Sequence, residues 1–261
     1  GSQFDVGDDG ICIKSGRDEE GRKRGVPTED VIVRNCTVFH GHGGFVVGSE
    51  MSGGARNLFV YDCNFLGTDI GIRFKTTRGR GGVVEKIYIE NIRMNDIGGA
   101  AILFDMYYMA VDPLTRKDDD VSIVQSVPVT EATPQFRDIH IKDVVCKGAE
   151  TAIFIRGLPE MNVKALEMEN ISIESEKGFV CIEGDGITLR HAHLRSQEAT
   201  AIYVENSKNL MLDNVNFQPS EVMINVTGER SKNIRVLKNK ENKGKIVAFG
   251  AGVSPDVVTF K

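Results

Sequence analysis

The chain has 261 residues, 41% of them hydrophobic, which suits a folded domain with a substantial core and excludes a disordered chain. A formal net charge of −5 excludes the basic field of a nucleic-acid scaffold. No apolar run approaches the ~18 residues of a membrane span. Five cysteines (Cys12, Cys36, Cys63, Cys146 and Cys181) show no zinc-type spacing and read as buried free thiols.

Taken in order, the chain opens on Gly7-Asp8-Asp9-Gly10, two adjacent carboxylates that run into the alternating Ile11-Cys12-Ile13-Lys14. A polar, Gly- and Pro-containing stretch at 17–29 reads as a loop, and no amphipathic helix stands out. From residue 30 a short alternating strand recurs: DVIVRN (30–35), NLFVYD (57–62), KIYIEN (86–91), DIHIKD (138–143), ALEMEN (165–170), GITLRH (186–191), NLMLDN (209–214) and NIRVLK (233–238). The polar end residues Asn35, Asp62, Asn91, Asp143, Asn170, His191 and Asn214 are separated by 27, 29, 52, 27, 21 and 23 residues. The long step marks a coil enlarged by an insertion, and 106–135 supplies it as a second loop. Its Asp118-Asp119-Asp120 run could hold calcium, although consecutive loop aspartates are more often merely solvated.

A second short strand follows each copy of the first, and Ile11-Cys12-Ile13 is one earlier copy of it. A repeat of this length with two short β-branched strands and polar turns predicts an all-β fold: a right-handed parallel β-helix of about eight coils. It forms one domain over 1–261, with strands stacked at ~4.8 Å. The polar end residues are expected to form ladders from coil to coil.

The repeat also sets a register. With Ile11, Phe45, Ile72 and Ile102 equivalent, alternation points Cys12, Lys14, Arg73 and Lys75 outward. Asp8, His42 and Asp69 each lie three residues earlier and fall in one column, with Asp9 beside Asp8. One face then gathers carboxylates, an imidazole and two cations. Paired carboxyls suit hydrolysis of a sugar linkage, and adjacent like charges are expected to keep one of them protonated. The Arg73–Lys75 pair suits a substrate that itself carries carboxylates. Taken singly, Asp-Asp-Gly reads as a turn, Gly-His-Gly as a turn with a surface histidine, and Arg-x-Lys as a solvated strand face. Their shared phase on three coils is what makes them a site.

These residues resemble glycoside hydrolase family 28, the polygalacturonases. Its motifs Gly/Gln-Asp-Asp, Gly-His-Gly and Arg-Ile-Lys are matched here by Gly7-Asp8-Asp9, Gly41-His42-Gly43 and Arg73-Phe74-Lys75. The surrounding text (VGDDGICIKSG, GHGGFVVGSE, DIGIRFKTTRGRGG, ILFDMYY) is most similar to the bacterial exo-acting branch. The resemblance implies hydrolysis of α-1,4-galacturonic linkages with inversion and without a cofactor. Asp8 would be the general acid, Asp9 would help activate water, and His42 would support the acid. Arg73 and Lys75 would hold the substrate carboxylate, with Tyr108 or Tyr107 completing the sugar subsite. The rhamnogalacturonan hydrolases typically lack the histidine and the Arg-x-Lys pair, so galacturonan is the expected polymer. Its partner is therefore an acidic polysaccharide, and a secreted or periplasmic location is implied. Asp69, stacked on His42, is a candidate to orient the imidazole; capping the turn after Thr68 is the alternative.

One family motif, Asn-Thr-Asp, belongs about one coil before Asp8 and is not spelled by the seven residues there. The expectation is that this chain is the C-terminal part of a longer β-helix and that it is inactive or weakly active alone. Two other functions stay open on the same fold: a uronate (pectate) lyase, which wants calcium and an arginine base, and a non-catalytic carbohydrate-binding β-helix.

Overall fold

The computed structural model describes residues 1–109, 125–218, 221–237 and 246–261. Eighteen strands among them join through parallel pairings into one continuous, right-handed parallel β-helix. Parallel strands need crossovers, and here each crossover is itself a strand and corner of the same coil.

The register follows the repeat. Ile11 pairs with Phe45, Phe45 with Ile72, Ile72 with Ile102 and Ile102 with Ile153. The column continues through Phe179, Ile202, Ile224 and Val247, so the chain makes eight complete turns. From Val83 onward the strands of a coil merge into long bent stretches, Val83–Asp105 and Gln135–Arg156.

The bends explain the polar residues. Asn35, Asp62, Asn91, Asp143, Asn170, His191 and Asn214 all have φ between 50° and 55°. So do their partners at the other end of the strand: Asp30, Asn57, Lys86, Asp138, Asn209 and Asn233 lie between 53° and 57°. Asn and Asp tolerate this left-handed region because their short polar side chains bond locally. They also bond to the next coil. Asn91 donates to Asp62 at 2.5 Å, Asn170 donates to Asp143, and Asn214 faces His191 Nδ1 at 2.9 Å. A second ladder at the strand starts links Asn57 to Asp30 at 3.2 Å, Asn209 to Asp185 at 2.8 Å and Asn233 to Asn209 at 2.7 Å.

Inward positions fill the solenoid with aliphatic side chains and phenylalanines. Phe74 stacks on Phe104 with centroids 4.5 Å apart, and Phe136 meets both rings edge-on. Such pairs add about 0.5–1.5 kcal/mol each beyond the area they bury. The Phe74 stack lies directly beneath the outward residues Arg73 and Lys75, so the cationic face rests on a rigid floor.

Two expectations need correction. The stretch 17–29 contains a helix, Asp18–Arg24. Its three acidic residues lead and its three basic residues follow, which complements the helix dipole, and Gly25 closes it at φ 60°. It is too short for the periodic apolar face that marks a helix in sequence. Cys12 is also not fully buried, unlike Cys36, Cys63, Cys146 and Cys181, because it leaves the outward side of its strand. The Asp118–Asp120 run lies outside the described residues, as does much of the 106–135 insertion.

Candidate active site

The opening turn and Gly41-His42-Gly43 are brought together by backbone first. The His42 N–H donates to the Asp8 carbonyl at 3.0 Å, and the Asp69 N–H donates to the Gly41 carbonyl at 2.9 Å. Gly41 has φ 88°, and a Cβ there would lie 2.5 Å from the Asp8 carbonyl oxygen. Only glycine lets this turn close on the preceding coil, and that closure places His42 against Asp8.

The side chains follow the expected column. His42 Nδ1 lies 3.4 Å from Asp8 Oδ1, and Nε2 lies 4.0 Å from Asp69 Oδ2. The imidazole is thus flanked by a carboxylate on each side, and all three side chains are more than half exposed.

Asp9 faces the other way, with only 7% of its side chain exposed. Lys75 Nζ donates to its Oδ2 at 2.8 Å, and Arg73 Nη1 lies 3.6 Å from Oδ1. The Cys12 Sγ sits 3.5 Å from Asp9 Oδ2 and the same distance from the Gly48 carbonyl. Burial pushes this thiol up to about 11. Arg73 also donates to the His42 carbonyl at 3.1 Å, which ties the cation to the histidine turn. Tyr108 lies against both cations, its ring centroid 4.8 Å from Lys75 Nζ and 5.6 Å from the Arg73 guanidinium carbon. Its N–H is fixed by the Thr76 carbonyl at 2.9 Å.

The repeat places Asp8, Asp9, His42, Asp69, Arg73 and Lys75 together, and the structure gathers all six; of the two tyrosines that the resemblance leaves open, Tyr108 is the one that joins them. Tyr107 points elsewhere: it is buried between the guanidinium groups of Arg78 and Arg156. Lys75 is outward by alternation but only 5% exposed, because its stem folds back onto Asp9.

The charge states differ from the expectation for a carboxyl pair. Asp8 is held below the usual carboxylate range, chiefly because the Asp9 N–H donates to its Oδ1 at 2.7 Å. His42, Lys75 and Lys14 add to this lowering, and the slight burial of the group opposes it. Adjacent carboxyls repel only when they face each other; here one is exposed and the other is turned inward to a lysine.

Sequence reasoning missed the network behind this face. Lys14 bonds Glu50, and Arg80 Nη2 approaches Glu50 Oε1 at 3.9 Å. Arg80 also bonds Asp18 of the helix. Burial acts to raise the Glu50 carboxyl, but the Lys14 ammonium, backbone donors and Arg80 outweigh it and bring it down to about 2. Only the outward alternation at Lys14 signalled this network. Among the described residues no group of three or more His, Cys, Asp or Glu side chains is arranged to hold a metal ion. No helix among them is long and apolar enough to cross a membrane.

The fold is thus a parallel β-helix that bears a carboxylate–imidazole column beside a cationic, tyrosine-backed cluster. Comparison with known proteins makes this specific. The model for glycosyl hydrolases family 28 matches residues 1–183, and the chain belongs to that family. A probable polygalacturonase of Vitis vinifera is 27% identical over 70% of this chain and 36% of its own length. The exo-poly-alpha-D-galacturonosidase of Dickeya chrysanthemi is 26% identical over 60% of this chain and 25% of its own. The crystal structure of a hyperthermoactive exopolygalacturonase from Thermotoga maritima superposes with a TM-score of 0.57 at 32% identity. That superposition covers 66% of this chain and 36% of the other. The chain therefore spans between a quarter and two fifths of these relatives' lengths.

Proposed function

We propose that this face hydrolyses α-1,4-linked galacturonate by single displacement, with inversion at the anomeric carbon. What carries the reading is the pairing of an exposed Asp8–His42–Asp69 column with a buried Asp9 gripped by Lys75. In this scheme Asp8 donates a proton to the leaving glycosidic oxygen and Asp9 orients the attacking water. His42 holds Asp8 and exchanges protons with it, and Asp69 orients His42 from the far side. Arg73 and Tyr108 form the wall against which a uronate packs, while Lys75 fixes the orientation of Asp9.

An acid must carry its proton, yet the Asp8 carboxyl on the free protein is held below the usual carboxylate range, chiefly by the Asp9 N–H. A bound uronate resolves this. Its own carboxylate beside Asp8 is a like charge, and closing the groove removes water, so both effects raise the Asp8 carboxyl. The acidic substrate thereby helps to arm its own catalyst. The polymer is extracellular, which makes a secreted or periplasmic location part of the proposal.

The test is product analysis on polygalacturonate with this chain alone and within a protein of the length of the relatives it matches, each as wild type and as Asp8→Asn, the longer protein being expected to show the greater turnover. Saturated galacturonate products are expected, with turnover reduced about 10²–10⁴-fold in the variant. An unsaturated product absorbing in the ultraviolet would instead identify a lyase. Binding of the polymer without turnover even in the longer wild-type protein would mark a carbohydrate-binding module.

A further inference from the structure

Three cations approach the candidate site, and they differ in how far solvent reaches them. The Lys75 side chain is 5% exposed and Arg73 18%, whereas Lys14 is 44% exposed. The two cations that alternation assigned to the substrate are thus largely committed to Asp9 and the His42 carbonyl. The accessible one is Lys14.

Its surroundings suit a ligand. Lys14 stands one residue beyond the Ile13–Val47 pair, so the next coil offers it Gly48, and Gly48 pairs with Lys75 in the coil after. A Cβ on Gly48 would lie 2.0 Å from the Lys75 carbonyl oxygen, so no other side chain fits there. The result is a side-chain-free step between two lysines, whose backbones stand about 9.6 Å apart at two strand spacings.

The Lys14 backbone is pinned, since the Thr28 hydroxyl donates to its carbonyl at 2.6 Å and the Ser15 N–H donates to the Glu50 carbonyl at 2.9 Å. Its side chain is a flexible stem ending in a compact charge. The partner it now holds can spare it: Glu50 keeps the Ser49 hydroxyl at 3.4 Å and Arg80 at 3.9 Å on its other oxygen. If Lys14 leaves Glu50 for another anion, no carboxylate is stranded without a donor.

We propose that Lys14 binds the carboxylate of a second uronate unit of the substrate, exchanging Glu50 for the sugar across the Gly48 step. This rests on the galacturonan reading above. Lys14 then discriminates acidic from esterified polymer at a point separate from Arg73.

The experiment is calorimetric titration of trigalacturonate and of its fully methyl-esterified, uncharged form, in an Asp8→Asn background so that no turnover intervenes. Lys14→Gln is expected to weaken trigalacturonate binding about fivefold, the scale of losing one partly exposed charge contact. It should leave the methyl ester unchanged and flatten the salt dependence of trigalacturonate binding. Lys14→Arg should restore most of the loss. Glu50→Gln is an independent arm: it frees Lys14, so affinity for trigalacturonate should rise. Trigalacturonate binding that is unaltered by Lys14→Gln, with the same salt dependence, would overturn the Lys14 assignment and leave the galacturonan reading standing. An Asp8→Asn protein that binds neither sugar would overturn both.

Discussion

The first three coils and the last three are built on the same repeat but differ in how fully they pair their buried polar groups. Between Asn170 and Asn233 the polar side chains at the corners are paired from coil to coil, and most buried polar groups have partners: the Ser207 hydroxyl donates to the Glu205 carbonyl at 2.9 Å and the Asn162 amide donates to Glu183 at 3.0 Å. Around the candidate site, buried polar atoms more often lack a hydrogen-bond partner. Six of the eight such side-chain atoms among the described residues lie on Asp9, Ser15, Ser52, Arg73, Thr76 and Arg80. Buried groups without hydrogen bonds are costly, so their concentration marks the coils where stability has been given up to aim charges at a surface. The later coils act as the scaffold that carries this cost.

That contrast can be broken first at Lys75. Lys75→Met leaves the Asp9 carboxylate buried without its nearest cation, and the loss of stability in urea denaturation is expected to be about 3 kcal/mol. Adding Asp9→Asn should recover most of that loss, since removing both charges leaves nothing stranded. A double variant no more stable than the single one would show that the pair is not the source of the cost. A smaller effect is expected in the scaffold. Asn170→Ala removes one ladder bond and puts alanine at φ 54°, for a loss of about 2 kcal/mol, whereas Asn170→Gly should lose less because glycine accepts that backbone.

The smallest expected effect is one of pH. Against the effect of burial, the Lys14 ammonium and Arg80 hold the Glu50 carboxyl at about 2 in the folded protein, below its ordinary 4.5. A depressed carboxylate contributes stability that is complete above pH ~4.5 and is lost as pH falls toward 2. Glu50→Gln should therefore lower stability at neutral pH slightly and flatten the acid limb between those values. An unchanged acid limb would mean that the Lys14–Glu50–Arg80 chain does not tighten the folded state.

Much of this was legible in the sequence because a solenoid turns periodicity into position. Counting three residues back from Ile11, Phe45 and Ile72 puts Asp8, His42 and Asp69 in one column, as the strand register does. Alternation failed at Lys75 for a physical reason. It fixes the side of the sheet from which a side chain leaves, but not where a four-carbon stem ends, and a buried carboxylate drew this one inward. The charge state of Asp8 was not legible either, since it depends on where a single turn points the Asp9 N–H. Nothing in Tyr107-Tyr108 distinguishes the two rings; the bend after Asp105 sends one outward and the other between two arginines.

The left-handed corners carry a consequence for how such a molecule changes over generations. Each bend is set by one residue that answers to the coils above and below it, not to the length of chain leaving the coil. Excursions can therefore lengthen without disturbing the stack. The 52-residue step between Asn91 and Asp143 is a case in point: Ile102 still pairs with Ile153, and Ile87 with Ile139, as if no extra chain intervened. Groove walls on this architecture are free to diversify while the floor keeps its register.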